Sequence, residues 1–140
     1  MKVKIKKFHP ESKIPKYSKK GDACVDLYAV SKIEDEFGNA VYDTGLGVEI
    51  PDGYVGLVYP RSSISKTMHQ LRNSVGVIDS GYRGPIKLAF WGGRSDASAY
   101  KPGDRIGQLM IMPYPQIEFE EVEELSTTER GSGGFGSTGT

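Results

Sequence analysis

The sequence predicts an all-β fold, a barrel or sandwich of short strands, with one short helix and a flexible C-terminal arm. Three observations carry this. Apolar residues recur with period two in short runs, glycine- and proline-bearing turns separate those runs, and only one segment has a helical period. Val3 and Ile5 alternate with Lys2, Lys4 and Lys6, a strand with one wet, basic face. Residues 25–29, 44–50, 54–59, 74–78, 85–91 and 106–112 read as further strands. Pro51-Asp52-Gly53, Asp79-Ser80-Gly81, Gly92-Gly93 and Lys101-Pro102-Gly103-Asp104 mark turns between them. Residues 62–71 are expected to be helical, with Ser62 or Ser63 as cap and Ile64, Met68 and Leu71 at three-to-four spacing. A β domain is expected over 1–125 and an arm over 126–140, where Gly, Ser and Thr dominate and no core can form.

Composition narrows the classes. The 18 basic and 18 acidic residues cancel in a chain of 140, so no global field steers it toward nucleic acid or a membrane surface. Eight lysines fall in the first twenty residues without interleaved aromatics, which reads as a solvated face. No segment approaches the ~20 apolar residues of a spanning helix, and no N-terminal apolar run resembles a signal peptide. Cys24 is the single cysteine, which excludes an intrachain disulfide and fits a reducing compartment. A soluble, intracellular protein is expected, in the cytoplasm or another reducing compartment. His9 and His69 lie far apart without ligand spacing and read as surface residues. Glu118, Glu120, Glu121, Glu123 and Glu124 read as a solvated strand edge leading into the arm.

The chemistry-bearing residues lie at strand ends. Pro60-Arg61-Ser62-Ser63 sets an arginine and two hydroxyls at the predicted helix start, where free N–H groups favour an anion; taken alone it reads first as an ordinary cap. Asp79 stands at a turn with Tyr82 and Arg83 nearby, and by itself is an ordinary turn former. The amide of Asn73 offers both donor and acceptor to a base edge. Residues 103–109 are another turn into a strand, by itself an ordinary hairpin, where Gln108 is able to point inward as a polar contact. In the arm, Arg130 brings a fork suited to phosphate and Phe135 a flat face for a nucleobase, among successive glycine N–H groups. Residues 131–136 satisfy G-x-G-x-x-G but follow no strand-to-helix turn, so a dinucleotide site fails on context.

In order, these pieces resemble the trimeric deoxyuridine triphosphatase (dUTPase) family across essentially the whole chain. Its five motifs stand as Asp22-Ala23-Cys24-Val25-Asp26-Leu27, Pro60-Arg61-Ser62-Ser63, Gly76-Val77-Ile78-Asp79-Ser80-Gly81-Tyr82-Arg83-Gly84, Gly103-Asp104-Arg105-Ile106-Gly107-Gln108-Leu109 and Arg130-Gly131-Ser132-Gly133-Gly134-Phe135-Gly136-Ser137-Thr138-Gly139. The resemblance implies a jelly-roll-like β-barrel, a homotrimer with sites shared between subunits, and hydrolysis of dUTP to dUMP and pyrophosphate with Mg2+. That reaction keeps uracil out of DNA and supplies dUMP for thymidylate synthesis.

The resemblance also implies roles. Asp79 would activate a water against the α-phosphorus. Gly76, Val77, Ile78, Asn73 and the strand near Lys87 would form a hairpin that reads uracil, with Tyr82 under the deoxyribose. Arg61, Ser62, Ser63 and Gln108 would contact phosphates or orient Asp79. Arg130, Phe135, Gly136 and Ser137 would close the site, Arg130 on the γ-phosphate and Phe135 over the base. The metal would be held mainly by phosphates and waters, with Asp26 touching it through water.

Two other readings stand beside this one. Asp-x-Gly at the third motif also resembles dCTP deaminases, but those place a glutamate where this chain has Ala89, which cannot shuttle a proton. A regulatory module that uses the nucleotide as a switch would have been favoured by an inserted partner-binding segment, and none is evident.

Overall fold

The computed structural model describes residues 1–92 and 99–134. Within them the chain forms β1 (Lys4–Lys7), β2 (Val25–Tyr28), β3 (Ser31–Glu34), β4 (Ala40–Asp43), β5 (Leu46–Glu49), β6 (Tyr54–Tyr59), a 3-10 turn (Ser62–Lys66), β7 (Gln70–Leu71), β8 (Gly76–Ile78), β9 (Lys87–Trp91) and β10 (Arg105–Pro113). Every strand pairing is antiparallel. One four-stranded sheet runs β2-β10-β6-β8, the other β3-β4-β9-β7, and β1-β5 forms a separate ribbon. The expected all-β, jelly-roll-like fold is what these sheets make.

Period two explains the core. Leu88 and Phe90 point inward from β9, Ala40 and Tyr42 from β4, Leu27 from β2 and Leu109 from β10, and all are buried in one cluster with Val58, Ile86 and Ile106. Full burial of such a side chain stabilises by about 1.5–3 kcal/mol. The sheets can approach because residue 107 is glycine. A Cβ there would overlap Leu88 Cδ2 of the facing sheet and sit 3.0 Å from the Tyr59 carbonyl oxygen.

Several expectations change. The predicted helix is only the 3-10 turn, and Arg61, extended at φ −84° and ψ 154°, caps it without a side-chain bond, so neither Ser62 nor Ser63 is a cap. Hydroxyls compete with the helix: Ser65 Oγ donates to the Ser62 carbonyl at 3.0 Å and Thr67 Oγ1 to that of Ile64 at 2.8 Å. The chain then leaves to pair Gln70–Leu71 with Trp91 and Phe90. Met68 is consequently exposed and Leu71 buried, so the two do not share a face.

The strand expected over 74–78 starts at Gly76, because Ser74 takes φ +58° in a tight turn. His69 is buried, not superficial, and packs with Tyr42, Phe90 and Tyr100. Burial there also pushes the Tyr42 hydroxyl up to about 12, with Tyr100 and Asp104 adding to it. The glutamates at 118–124 are exposed, but they lie outside any strand.

Candidate active site

One cluster grows on the outer face of the β2-β10-β6-β8 sheet. Asp26 lies opposite Gln108, which lies opposite Tyr59 on its other side, so the three form one row across neighbouring strands. A register shift between Arg105 and Gly107 adds a bulge at Ile106. Three residues apart on a regular strand, Arg105 and Gln108 would face opposite sides. The bulge turns Ile106 and Gly107 both inward and leaves Arg105 and Gln108 on the same outer face.

Asp26 then accepts from two guanidinium groups, Arg61 Nε at 2.8 Å and Arg105 Nη1 at 3.2 Å. Arg61 Nη1 also donates to Ser63 Oγ at 3.2 Å, which fixes the fork while leaving other N–H groups free. Gln108 Nε2 donates one hydrogen to the Pro60 carbonyl at 3.0 Å and keeps a second. Asp26, Arg61, Arg105 and Gln108, together with Lys16 and Cys24, line a pocket of about 340 Å3. The Cys24 thiol is pushed above its ordinary value by burial first and the Asp26 carboxylate second. Ser62 lies exposed at the same corner.

A second cluster surrounds Asp79. Tyr82 N–H donates to the Asp79 carbonyl at 3.1 Å, closing a turn that leaves the Asp79 side chain exposed. Asp79 stands between two hollows: one of about 280 Å3 with Tyr54, Val77 and Tyr114 on its wall, the other of about 220 Å3 with Val77, Ile78, Tyr82 and Lys87. Tyr82 is tethered by its hydroxyl, which donates to the Pro85 carbonyl at 3.0 Å. The surrounding backbone is not a hairpin. β8 pairs with β6 and β9 with β4 and β7, in different sheets. The connecting chain is clamped at Ile86, whose carbonyl accepts from Thr44 Oγ1 at 2.8 Å and whose N–H donates to Leu46 at 2.8 Å. Lys87 still borders the hollow, its ammonium 3.6 Å from Asp43. Gly76 is buried on β8, where a Cβ would come 3.2 Å from Val58 Cβ and 3.5 Å from Asn73 Nδ2, so Asn73 sits at the foot of that strand.

The two clusters do not meet within one chain. Ile78 pairs with Gly56, which puts Asp79 level with Val55, whereas Gln108 pairs with Tyr59. Four residues along β6 is roughly 13 Å, and the three strand spacings from β8 to β2 add roughly 14 Å sideways. Asp79 and Asp26 are thus about 19 Å apart, too far to grip one phosphorus together. Arg61 accordingly touches Asp26 and not Asp79. Arg130 is exposed, its Nε donating to its own Gly133 carbonyl at 3.0 Å, and Phe135, Gly136 and Ser137 lie outside the described residues. Sequence reasoning missed Arg105 and Lys16 as pocket residues. The fourth motif contains Arg105, but its orientation depends on the bulge; nothing local marked Lys16.

The fold and site define an all-antiparallel, jelly-roll-like β protein with a charged surface pocket on one sheet and a separate aspartate turn. Comparison with known proteins is specific. The dUTPase family model matches residues 10–139. The deoxyuridine 5'-triphosphate nucleotidohydrolase of Nautilia profundicola is 44% identical over 141 residues, covering 99% of both chains, and that of Escherichia phage T5 is 40% identical, covering 98% of both. A Staphylococcus bacteriophage 80alpha dUTPase G164S mutant with dUpNHpp superposes with a TM-score of 0.85 at 27% identity, covering 99% of both chains. The chain belongs to the dUTPase family.

Proposed function

We propose that this chain hydrolyses dUTP to dUMP and pyrophosphate, with Asp79 activating a water against the α-phosphorus. The supporting observation is the placement of Asp79: an exposed carboxylate on a tight turn, walled on one side by the Tyr82 hollow. In this reading Val77, Ile78 and Asn73 read the uracil edge, and the Tyr82 ring, held by Pro85, lies under the sugar. A mispaired buried polar group costs about 1–3 kcal/mol, so cytosine is rejected by roughly one to two decades per mismatch. Arg61, Ser62, Ser63 and Gln108 take the phosphates. The arm over 126–140 closes the site through Arg130, Phe135, Gly136 and Ser137, excluding bulk water.

The site is completed by a neighbouring copy in a homotrimer. The separation of about 19 Å between Asp79 and Asp26 supports this, because a head-to-tail ring brings the Asp79 end of one chain to the Asp26 end of the next. Magnesium is proposed as the cofactor. No three metal-ligating side chains lie together among the described residues, and Asp26 is already bonded to two arginines. That donor set fits an ion carried by the triphosphate and water rather than a protein cage. When bound, it supplies charge neutralisation along the triphosphate. Among the described residues no helix is long and apolar enough to cross a membrane, and the chain is proposed to act in a reducing, intracellular compartment without nucleic-acid partners.

The test is pyrophosphate release with product identification from dUTP, dCTP, dTTP and UTP in parallel, with magnesium. Turnover of dUTP alone to dUMP is expected. Binding of dUTP without cleavage overturns the assignment in favour of a nucleotide-switched module.

A further inference from the structure

We propose that Lys16, beside Arg105, holds the diphosphate part of the ligand, the β- and γ-phosphates of the substrate and then the pyrophosphate product. The inference rests on the phosphate reading of the Asp26 pocket and assigns two residues to it that carry no assigned role. At about 340 Å3 the pocket lies at the low end of the roughly 300–1,000 Å3 of small-ligand sites, room for a short polyanion rather than a whole nucleotide.

Its charges favour an anion once the existing bonds are set aside. Lys16, Arg61 and Arg105 line the pocket together with Asp22 and Asp26. Asp26 is divided between the two arginines. Asp22 turns its Oδ2 to the Lys19 N–H at 2.7 Å, inside its own turn. Lys16 has no ion pair with either. Among the described residues its ammonium is bonded to no carboxylate, so the whole group can turn to a ligand. Arg105 keeps its Nε and Nη2 hydrogens, since only Nη1 is bonded to Asp26. A lysine suits the end of a phosphate chain, being a mobile point charge, whereas the anchored Arg61 fork suits a fixed position nearer the reacting centre.

The experiment is titration calorimetry of the full-length protein with inorganic pyrophosphate and, in parallel, dUMP, both with magnesium. Lys16→Ala should weaken pyrophosphate binding roughly three- to tenfold, as expected for one exposed ion pair near a polyanion, and leave dUMP affinity unchanged. Lys16→Arg should restore most of the loss. Arg105→Lys, which keeps charge but not the fork, should weaken pyrophosphate while sparing dUMP. Undiminished pyrophosphate affinity in Lys16→Ala overturns the proposal, as does equal weakening of dUMP, or failure of the wild-type protein to bind pyrophosphate. Binding is read without turnover. A wild-type protein that binds pyrophosphate but does not cleave dUTP would therefore refute the hydrolase reading and not this one.

Discussion

Substituting Gly107 by alanine tests how tightly the Asp26 pocket is coupled to the core. Removing a glycine from a strand interior ordinarily gains roughly 0.5–1 kcal/mol through the unfolded chain. Here the new methyl would overlap Leu88 Cδ2 and stand 3.0 Å from the Tyr59 carbonyl oxygen. Leu88 is 1% exposed and cannot swing away, and the Tyr59 contact is backbone. Overpacking of this kind costs about 1–3 kcal/mol, which exceeds the gain. Gly107 is flanked by Ile106 in the bulge and by Gln108, so the displaced strand carries the pocket with it. Gly107→Ala should lose stability in urea unfolding at fixed protein concentration and lose kcat/KM for dUTP. Leu88→Ala alone should cost about 2–5 kcal/mol, and the double variant less than the sum by about 0.5–3 kcal/mol, because truncation removes one of the two clashes. Strict additivity, or a Gly107→Ala protein as stable and active as the original, refutes the close-approach argument.

Three further outcomes are expected. Asp79→Asn should bind dUTP yet lose turnover by roughly 10²–10⁴, the usual worth of a positioned base; normal turnover removes Asp79 from that role. Deletion of residues 130–140 should leave a folded assembly with little activity, and full activity without the arm sinks its closing role. Iodoacetamide should label Cys24 slowly near neutral pH, because burial and Asp26 raise its thiol and only the thiolate reacts. The rate should climb with pH later than for an unperturbed thiol and fall when pyrophosphate occupies the pocket; a rate matching a free thiol refutes the described environment.

Strands in apolar runs bounded by turn residues were legible: β6, β9 and β10 lie within the runs 54–59, 85–91 and 106–112 to about a residue or two. β3 was not, because Ser31, Lys32, Ile33 and Glu34 are all exposed and make no inward pattern. β7 is two residues long and exists only through its pairing with β9. The helix over 62–71 failed for a related reason. Its spacing was helical, but hydroxyl bonds and a nearby strand edge outweighed a weak local preference. For the site, the motifs identified residue types and left their geometry open. That Arg105 shares a face with Gln108 depends on one bulged residue. That Val77 to Asp79 and Lys87 border a hollow without forming a hairpin depends on which sheets β8 and β9 join, a long-range matter that no local pattern encodes.

The distance between the two half-sites makes the shared-site proposal quantitative. Arg61→Ala damages the Asp26 pocket of a chain and leaves its Asp79; Asp79→Asn does the reverse. If a site used both halves of one chain, every chain in a mixture of the two variants would carry a defect and no site would be whole. If each site joins Asp79 of one chain to the Asp26 pocket of the next, an equal mixture unfolded and refolded together assembles at random. Half of the positions then supply an intact Asp79 and, independently, half of the facing positions an intact pocket, so about one quarter of sites are whole. The apolar row between the half-sites is consistent with a neighbour lying over it: Val77, 61% exposed, pairs with Leu57, which also pairs with Met110, and Met112, 40% exposed, pairs with Val55. Activity near a quarter of the original after co-refolding, against almost none for either variant refolded alone, is the expected result. Co-refolded protein no more active than the separate variants refutes a site built from two chains.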